Sequence, residues 1–127
     1  MSPVKRILII DDDADHLLFC QLVFQRRGYE VFASPVVSDW DELLRILARF
    51  NADLIFLDHQ LGTTPGAGLI KKLKADPDHS KIPVVLFSGN EDIVALAQEA
   101  GADGHLKKPF TIFRLMEITN RFISREP

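Results

Sequence analysis

The feature that most constrains this chain is a change of hydrophobic period, repeated five times. Short apolar runs stand at Ile7 to Ile10, Val31 to Ala33, Leu54 to Leu57, Val84 to Phe87 and, more weakly, around Leu106. Each is of strand length, and "ILII" and "LIFL" are continuous rather than alternating, the pattern of strands buried on both faces of a parallel sheet. Between the runs the period becomes helical. Trp40, Leu43, Leu44 and Leu47 fall at i, i+3, i+4 and i+7, as do Ile93, Leu96, Ala97 and Ala100. Leu17, Cys20, Val23 and Phe24 form another stripe, ended by Gly28, and Leu115, Ile118, Thr119 and Phe122 form one near the C-terminus. A shorter helix is predicted over Ala67 to Ala75, stopped by "DPDHSKIP". Parallel strands need right-handed crossovers, so five strand and helix units predict an α/β fold: a three-layer, doubly wound, five-stranded parallel sheet with five helices on its two faces.

The 127 residues are expected to form a single domain, 1–127, because one core typically serves about 100 to 150 residues. A net charge of −3 argues against direct contact with nucleic acid or an anionic membrane. The apolar runs fall far short of the roughly 20 residues that span a bilayer. The single cysteine, Cys20, has no internal disulfide partner, and "MSPVKR" lacks the apolar stretch of a signal peptide. A cytoplasmic location is the expectation.

In a doubly wound sheet, ligands bind beyond the carboxyl ends of the strands. After the first run come Asp11, Asp12 and Asp13; after the third, Asp58; after the fourth, Ser88 and Gly89; after the fifth, Lys107, Lys108 and Pro109. If the first and third strands are neighbours, Asp11, Asp12 and Asp58 converge with a hydroxyl and an ammonium beside them. Clustered carboxylates repel unless a cation intervenes. Hard oxygen ligands of this kind suit Mg²⁺. A carboxylate beside that metal can attack a phosphoryl group and carry it as an acyl phosphate, with a lysine neutralising the transferred charge.

This ordered set resembles the receiver domain of bacterial two-component response regulators, of the chemotaxis-regulator type, over nearly the whole chain. The resemblance implies a flavodoxin-like strand order 2-1-3-4-5. It implies Asp58 as phosphoacceptor, Asp12 as a direct Mg²⁺ ligand, Asp11 as a ligand through water, and the Gln60 backbone carbonyl as a further ligand. Ser88 would be the switch hydroxyl and Lys108 the ion-pair partner of the phosphoryl group, with a cis peptide between Lys108 and Pro109. His105 occupies the place of an aromatic switch residue. Because histidine can titrate near neutral pH, output through His105 is expected to depend on pH.

The implied partners are a histidine kinase or phosphotransfer protein that donates the phosphoryl group, and a downstream output protein or domain. The responsive surface would be helix four, strand five and helix five, with dimerisation through it possible. The chain is either a stand-alone receiver or the receiver of a longer regulator or hybrid kinase. The function is that of a phosphoacceptor regulator rather than an enzyme, apart from self-phosphorylation by small donors and self-dephosphorylation.

The chain departs from the family pattern in "DHQLGTTPGAG", where Gly62 replaces the usual proline and Pro65 the usual Asp or Asn, while Gly66 is the expected glycine. Metal affinity through Gln60 is open at that point. Ser88 to Lys108 is also shorter than the pattern.

Two other functions stay open. A small Mg²⁺-dependent phosphohydrolase would use Asp11-x-Asp13, although Asp15 stands where that motif has threonine or valine. A degenerate receiver would bind proteins without phosphate. A calcium EF-hand loop fails, because His16 stands at its glycine and Leu22 at its glutamate. Asp13 and Asp15 read as helix-start residues, Lys107 as a surface charge and Cys20 as an inert core thiol. His16, His59 and His79 read as ordinary surface or loop side chains.

Overall fold

The computed structural model describes residues 4–35, 37–61 and 64–123. The apolar runs form β1 (Arg6–Ile10), β2 (Glu30–Ser34), β3 (Leu54–Asp58), β6 (Val84–Ser88) and β7 (Gly104–Lys107). The helices are α1 (Ala14–Arg26), α2 (Trp40–Arg49), α3 (Gly66–Ala75), α4 (Ile93–Ala100) and α5 (Ile112–Phe122). The five strands make one parallel sheet in the order β2-β1-β3-β6-β7, which is the implied 2-1-3-4-5 order.

Burial explains why three of the runs are continuous. Ile7 to Ile10, all of β3 and all of β6 are buried, so residues of either parity meet a helix layer. Leu8, Ile10, Ile55, Leu57, Val84 and Leu86 pack with Leu43, Leu47, Ile70, Leu73 and Ile93 of α2, α3 and α4. Ile7, Ile9, Leu54, Phe56, Val85 and Phe87 pack on the opposite face with Cys20, Phe24, Leu115 and Ile118 of α1 and α5. Edge strand β2 is only partly covered. Trp40, expected in the core, sits half-buried at its margin, at the first position of α2.

Helix starts are fixed by side-chain caps. The Asp13 carboxylate accepts from the Asp15 and His16 N–H groups, Asp39 accepts from Glu42 N–H, and Thr111 Oγ1 accepts from Arg114 N–H; each satisfies helix-terminal donors. The helix-start reading of Asp13 holds, and Asp15 lies in the first turn of α1. α4 ends at Gly101, whose φ of 81° is left-handed.

One element is an addition to the predicted set: a two-stranded antiparallel ribbon of β4 (Gln60–Leu61) and β5 (Thr64–Pro65) before α3. Strands of two residues are too short to show a period of two. Gly62 and Thr63, within the loop that departs from the family pattern, lie outside the described residues, as do 1–3, 36 and 124–127. Among the described residues, no helix is long and apolar enough to cross a membrane.

Candidate functional site

Strand register assembles the site before any side chain is considered. Ile10 pairs with Leu57, so Asp11 and Asp58, one residue further on, emerge side by side. Asp58 is level with Phe87, and Ser88 with Lys107. The Lys108 N–H donates to the Ser88 carbonyl at 2.8 Å, extending that pairing by one residue, and the Lys108–Pro109 peptide is cis, as the resemblance implies.

Asp11 is fully buried, Asp58 nearly so and Asp12 exposed. One carboxylate oxygen from each lies within 4.8 Å of the others. Lys108 Nζ stands 2.9 Å from Asp11 Oδ2 and 3.4 Å from Asp58 Oδ1. Asp11 Oδ1 accepts from Asp13 N–H at 3.0 Å, and Asp58 Oδ1 accepts from His59 N–H at 3.0 Å.

This environment separates the two buried acids. Burial, joined by the charge of Asp11, pushes Asp58 up to about 6, against the opposing effect of Lys108. Burial also works to raise Asp11, but hydrogen bonds from His16, Lys108 and the Asp13 N–H outweigh it and hold Asp11 below the usual carboxylate range. Burial works to lower Lys108, and the two carboxylates hold it above its ordinary value. One ammonium is shared between the two buried acids, and their charges still repel. A donor set made entirely of hard oxygens, with excess charge, fits a small divalent cation such as Mg²⁺.

Ser88 is buried, and its Oγ accepts from the Asn90 N–H at 3.0 Å. Gln60 lies on β4 opposite Pro65 with its side chain exposed. His105 is exposed on β7 and lines a small surface cavity with Arg114, Glu117 and Arg121. Lys107 pairs with Glu91 at 2.7 Å on the surface, as its reading predicts. Cys20 is buried, and desolvation together with the charge of Asp11 pushes its thiol up to about 12, in line with an inert role.

His16 is a correction to the surface reading. Its Nδ1 contacts Asp11 Oδ2, and its ring packs edge-on against Phe87 and Phe110. The signal was in the spacing: His16, Cys20 and Val23 fall at i, i+4 and i+7, which extends the stripe of α1 one turn toward the acidic pair. His79, by contrast, is a loop side chain, bonded to Asp76 at 2.6 Å.

Gly66 also bears on the site. A Cβ there would come within 2.0 Å of the Asp58 carbonyl oxygen, so only glycine lets α3 begin against the backbone of the acidic strand.

Comparison with known proteins gives a consistent picture. Residues 7–120 match the family model described as the response regulator receiver domain. The DNA-binding response regulator MtrA of Mycobacterium tuberculosis is 32% identical over 108 residues, covering 84% of this chain and 45% of the relative. The chain thus spans less than half the length of that relative. Sporulation initiation phosphotransferase F of Bacillus subtilis is 24% identical, with 94% of each chain covered. Among solved structures, a putative response regulator from Chloroflexus aurantiacus superposes with a TM-score of 0.83 at 27% identity, over 94% of this chain and 98% of that one.

Proposed function

The chain belongs to the response regulator receiver domain family, and from that premise we propose that Asp58 accepts a phosphoryl group from the phosphohistidine of a histidine kinase or phosphotransfer protein. Mg²⁺, held by Asp11, Asp12, Asp58 and the Gln60 carbonyl, would offset charge on the phosphoryl oxygens. An Asp58 carboxylate oxygen attacks phosphorus, an O–P bond forms, the donor's N–P bond breaks, and the imidazole leaves with the bonding electrons. Asp58 is nearly buried at the end of β3, with one carboxylate oxygen held by the His59 N–H and Lys108, which fixes the carboxylate in place as a nucleophile. The observation that carries this reading is Lys108 Nζ lying between Asp11 and Asp58 within the triad of acids.

Once the acyl phosphate exists, Lys108 pairs with its oxygens and the Ser88 hydroxyl donates to one of them. That shift favours an active conformation and is read on the α4, β7 and α5 surface, where His105 lies. An output protein, an output domain of a longer chain, or a second copy would bind there. Residues 1–127 act as one signalling domain, and one covalent transfer, rather than turnover, completes its task.

The phosphohydrolase reading is disfavoured by a specific contact. Its second aspartate would be Asp13, whose carboxylate is engaged in capping α1. A degenerate receiver is disfavoured by the complete acceptor set.

Incubation with Mg²⁺ and acetyl phosphate tests the proposal. Mass spectrometry should find one phosphoryl adduct, absent from Asp58→Ala. No adduct on the wild type, or an adduct that survives the substitution, would overturn it, and continuous phosphate release would point to the hydrolase.

A further inference from the structure

Asp11 is a buried carboxylate with more than one side-chain donor beside it, and the division of labour between them is informative. Its Oδ1 holds the Asp13 N–H, while its Oδ2 takes both Lys108, at 2.9 Å, and His16. A carboxylate without solvent access is costly unless donors surround it. In phosphoryl transfer to Asp58, Lys108 moves toward the new phosphoryl oxygens, and Asp11 loses its nearest ammonium. On Oδ2, His16 is the donor that stays.

Its orientation is fixed on three sides. Asp11 only accepts when ionised, so Nδ1 must carry the proton. Nε2 faces Cys20 Sγ at 4.0 Å. The ring edge meets Phe87 with centroids 5.2 Å apart and Phe110 at 4.9 Å. Phe87 immediately precedes Ser88, and Phe110 follows Lys108 and Pro109. The imidazole is therefore clamped by the two segments that carry the other groups of the site.

We propose that His16 is a positioning residue: by donating to Asp11 it satisfies that carboxylate in place of Lys108 and frees the lysine to follow the phosphoryl group. The inference rests on Asp58 being the phosphoacceptor. Without the donor at position 16, Asp11 keeps Lys108, and the acyl phosphate is poorly neutralised. Mg²⁺ does not suffer in the same way, because loss of a competing donor leaves the Asp11 oxygens at least as available to it.

The test uses the full chain and two isosteric variants, His16→Leu and His16→Asn. The asparagine amide nitrogen stands as many bonds from the backbone as Nδ1; leucine fills similar space without a donor. Circular dichroism establishes that each folds, calorimetric titration gives Mg²⁺ affinity, and beryllofluoride binding at saturating Mg²⁺ reports the phosphorylated-like state. His16→Leu should bind Mg²⁺ no more weakly than wild type but beryllofluoride about tenfold more weakly. His16→Asn should recover most of that loss.

Wild-type beryllofluoride affinity in His16→Leu would overturn the proposal. So would parallel losses of Mg²⁺ and beryllofluoride binding in both variants, the mark of a purely structural role. Failure of the wild type to bind beryllofluoride would instead remove the reading of Asp58 itself.

Discussion

Asp11 and Asp58 emerge from neighbouring strands into the same buried pocket, yet their proton affinities are driven apart, and the reason is the allotment of donors. Asp11 takes the shorter Lys108 contact and His16; Asp58 has the longer Lys108 contact and faces the charge of Asp11. Asp58 is thus held in the fold at a cost. Its native value of about 6 exceeds its ordinary 3.8, so between these values the native state keeps a proton that the unfolded chain has lost. Stability then falls as pH rises through that window, and the full penalty is present above pH 6. Asp58→Asn should stabilise the metal-free protein at pH 7 by up to about 3 kcal/mol, with the gain fading as pH drops from 6 toward 4. Urea unfolding across that range measures it, and a gain that grew as the pH fell would contradict the assigned cause. That Asp58, Asp11 and Lys108 would meet was legible, because each follows an apolar run at the carboxyl end of the sheet. His16 was only half legible: its spacing to Cys20 and Val23 places it on the stripe of α1, but the carboxylate it meets is supplied only when that helix docks on the sheet.

At the scale of elements, the passage from β3 into α3 determines whether Asp58 is correctly presented. Gly66 N–H donates to the His59 carbonyl at 2.8 Å, and the site of its missing Cβ is filled by the Asp58 carbonyl. Gly66→Ala must displace either α3 or the Asp58 backbone. It should cost roughly 1 to 3 kcal/mol, as overpacking does, and should weaken Mg²⁺ binding as well, because Asp58 and Gln60 both lie on the displaced segment. Thermal denaturation with and without Mg²⁺ checks both; a variant with lower stability but unchanged Mg²⁺ affinity would show that α3 moves instead. The sequence marked this position as a glycine without supplying the contact that demands it. The β4 and β5 ribbon was hidden for a related reason: two-residue strands leave no periodic trace, and Pro65 within one of them reads as a turn signal. The five long strands and the helices were legible because burial on two faces, or on one stripe, imposes a period over enough residues to be seen.

Over the whole molecule, alternating periods specified layers and parallel strands, whereas strand order came from resemblance and register from packing alone. The pairing of Ile10 with Leu57 depends on helices covering both faces at once, and no local pattern contains it. That register brings three carboxylates within 4.8 Å, so folding must concentrate charge that the unfolded chain keeps apart. Since a cation that binds only the native cluster stabilises the fold by mass action, Mg²⁺ at ten times its dissociation constant should add about 1.4 kcal/mol. For a domain of this size that raises the melting temperature by roughly 4 to 8 °C. Both apolar clusters are built on one sheet, so the shift should appear as displacement of a single cooperative transition. Sodium chloride at matched ionic strength should not reproduce it, because general screening acts on the whole surface charge rather than on three converging oxygens. Asp12→Ala should abolish most of the shift while leaving the fold intact, as Asp12 is the exposed member of the triad. Equal melting with and without Mg²⁺ in the wild type, or an undiminished shift in Asp12→Ala, would mean that the cluster does not bind the ion.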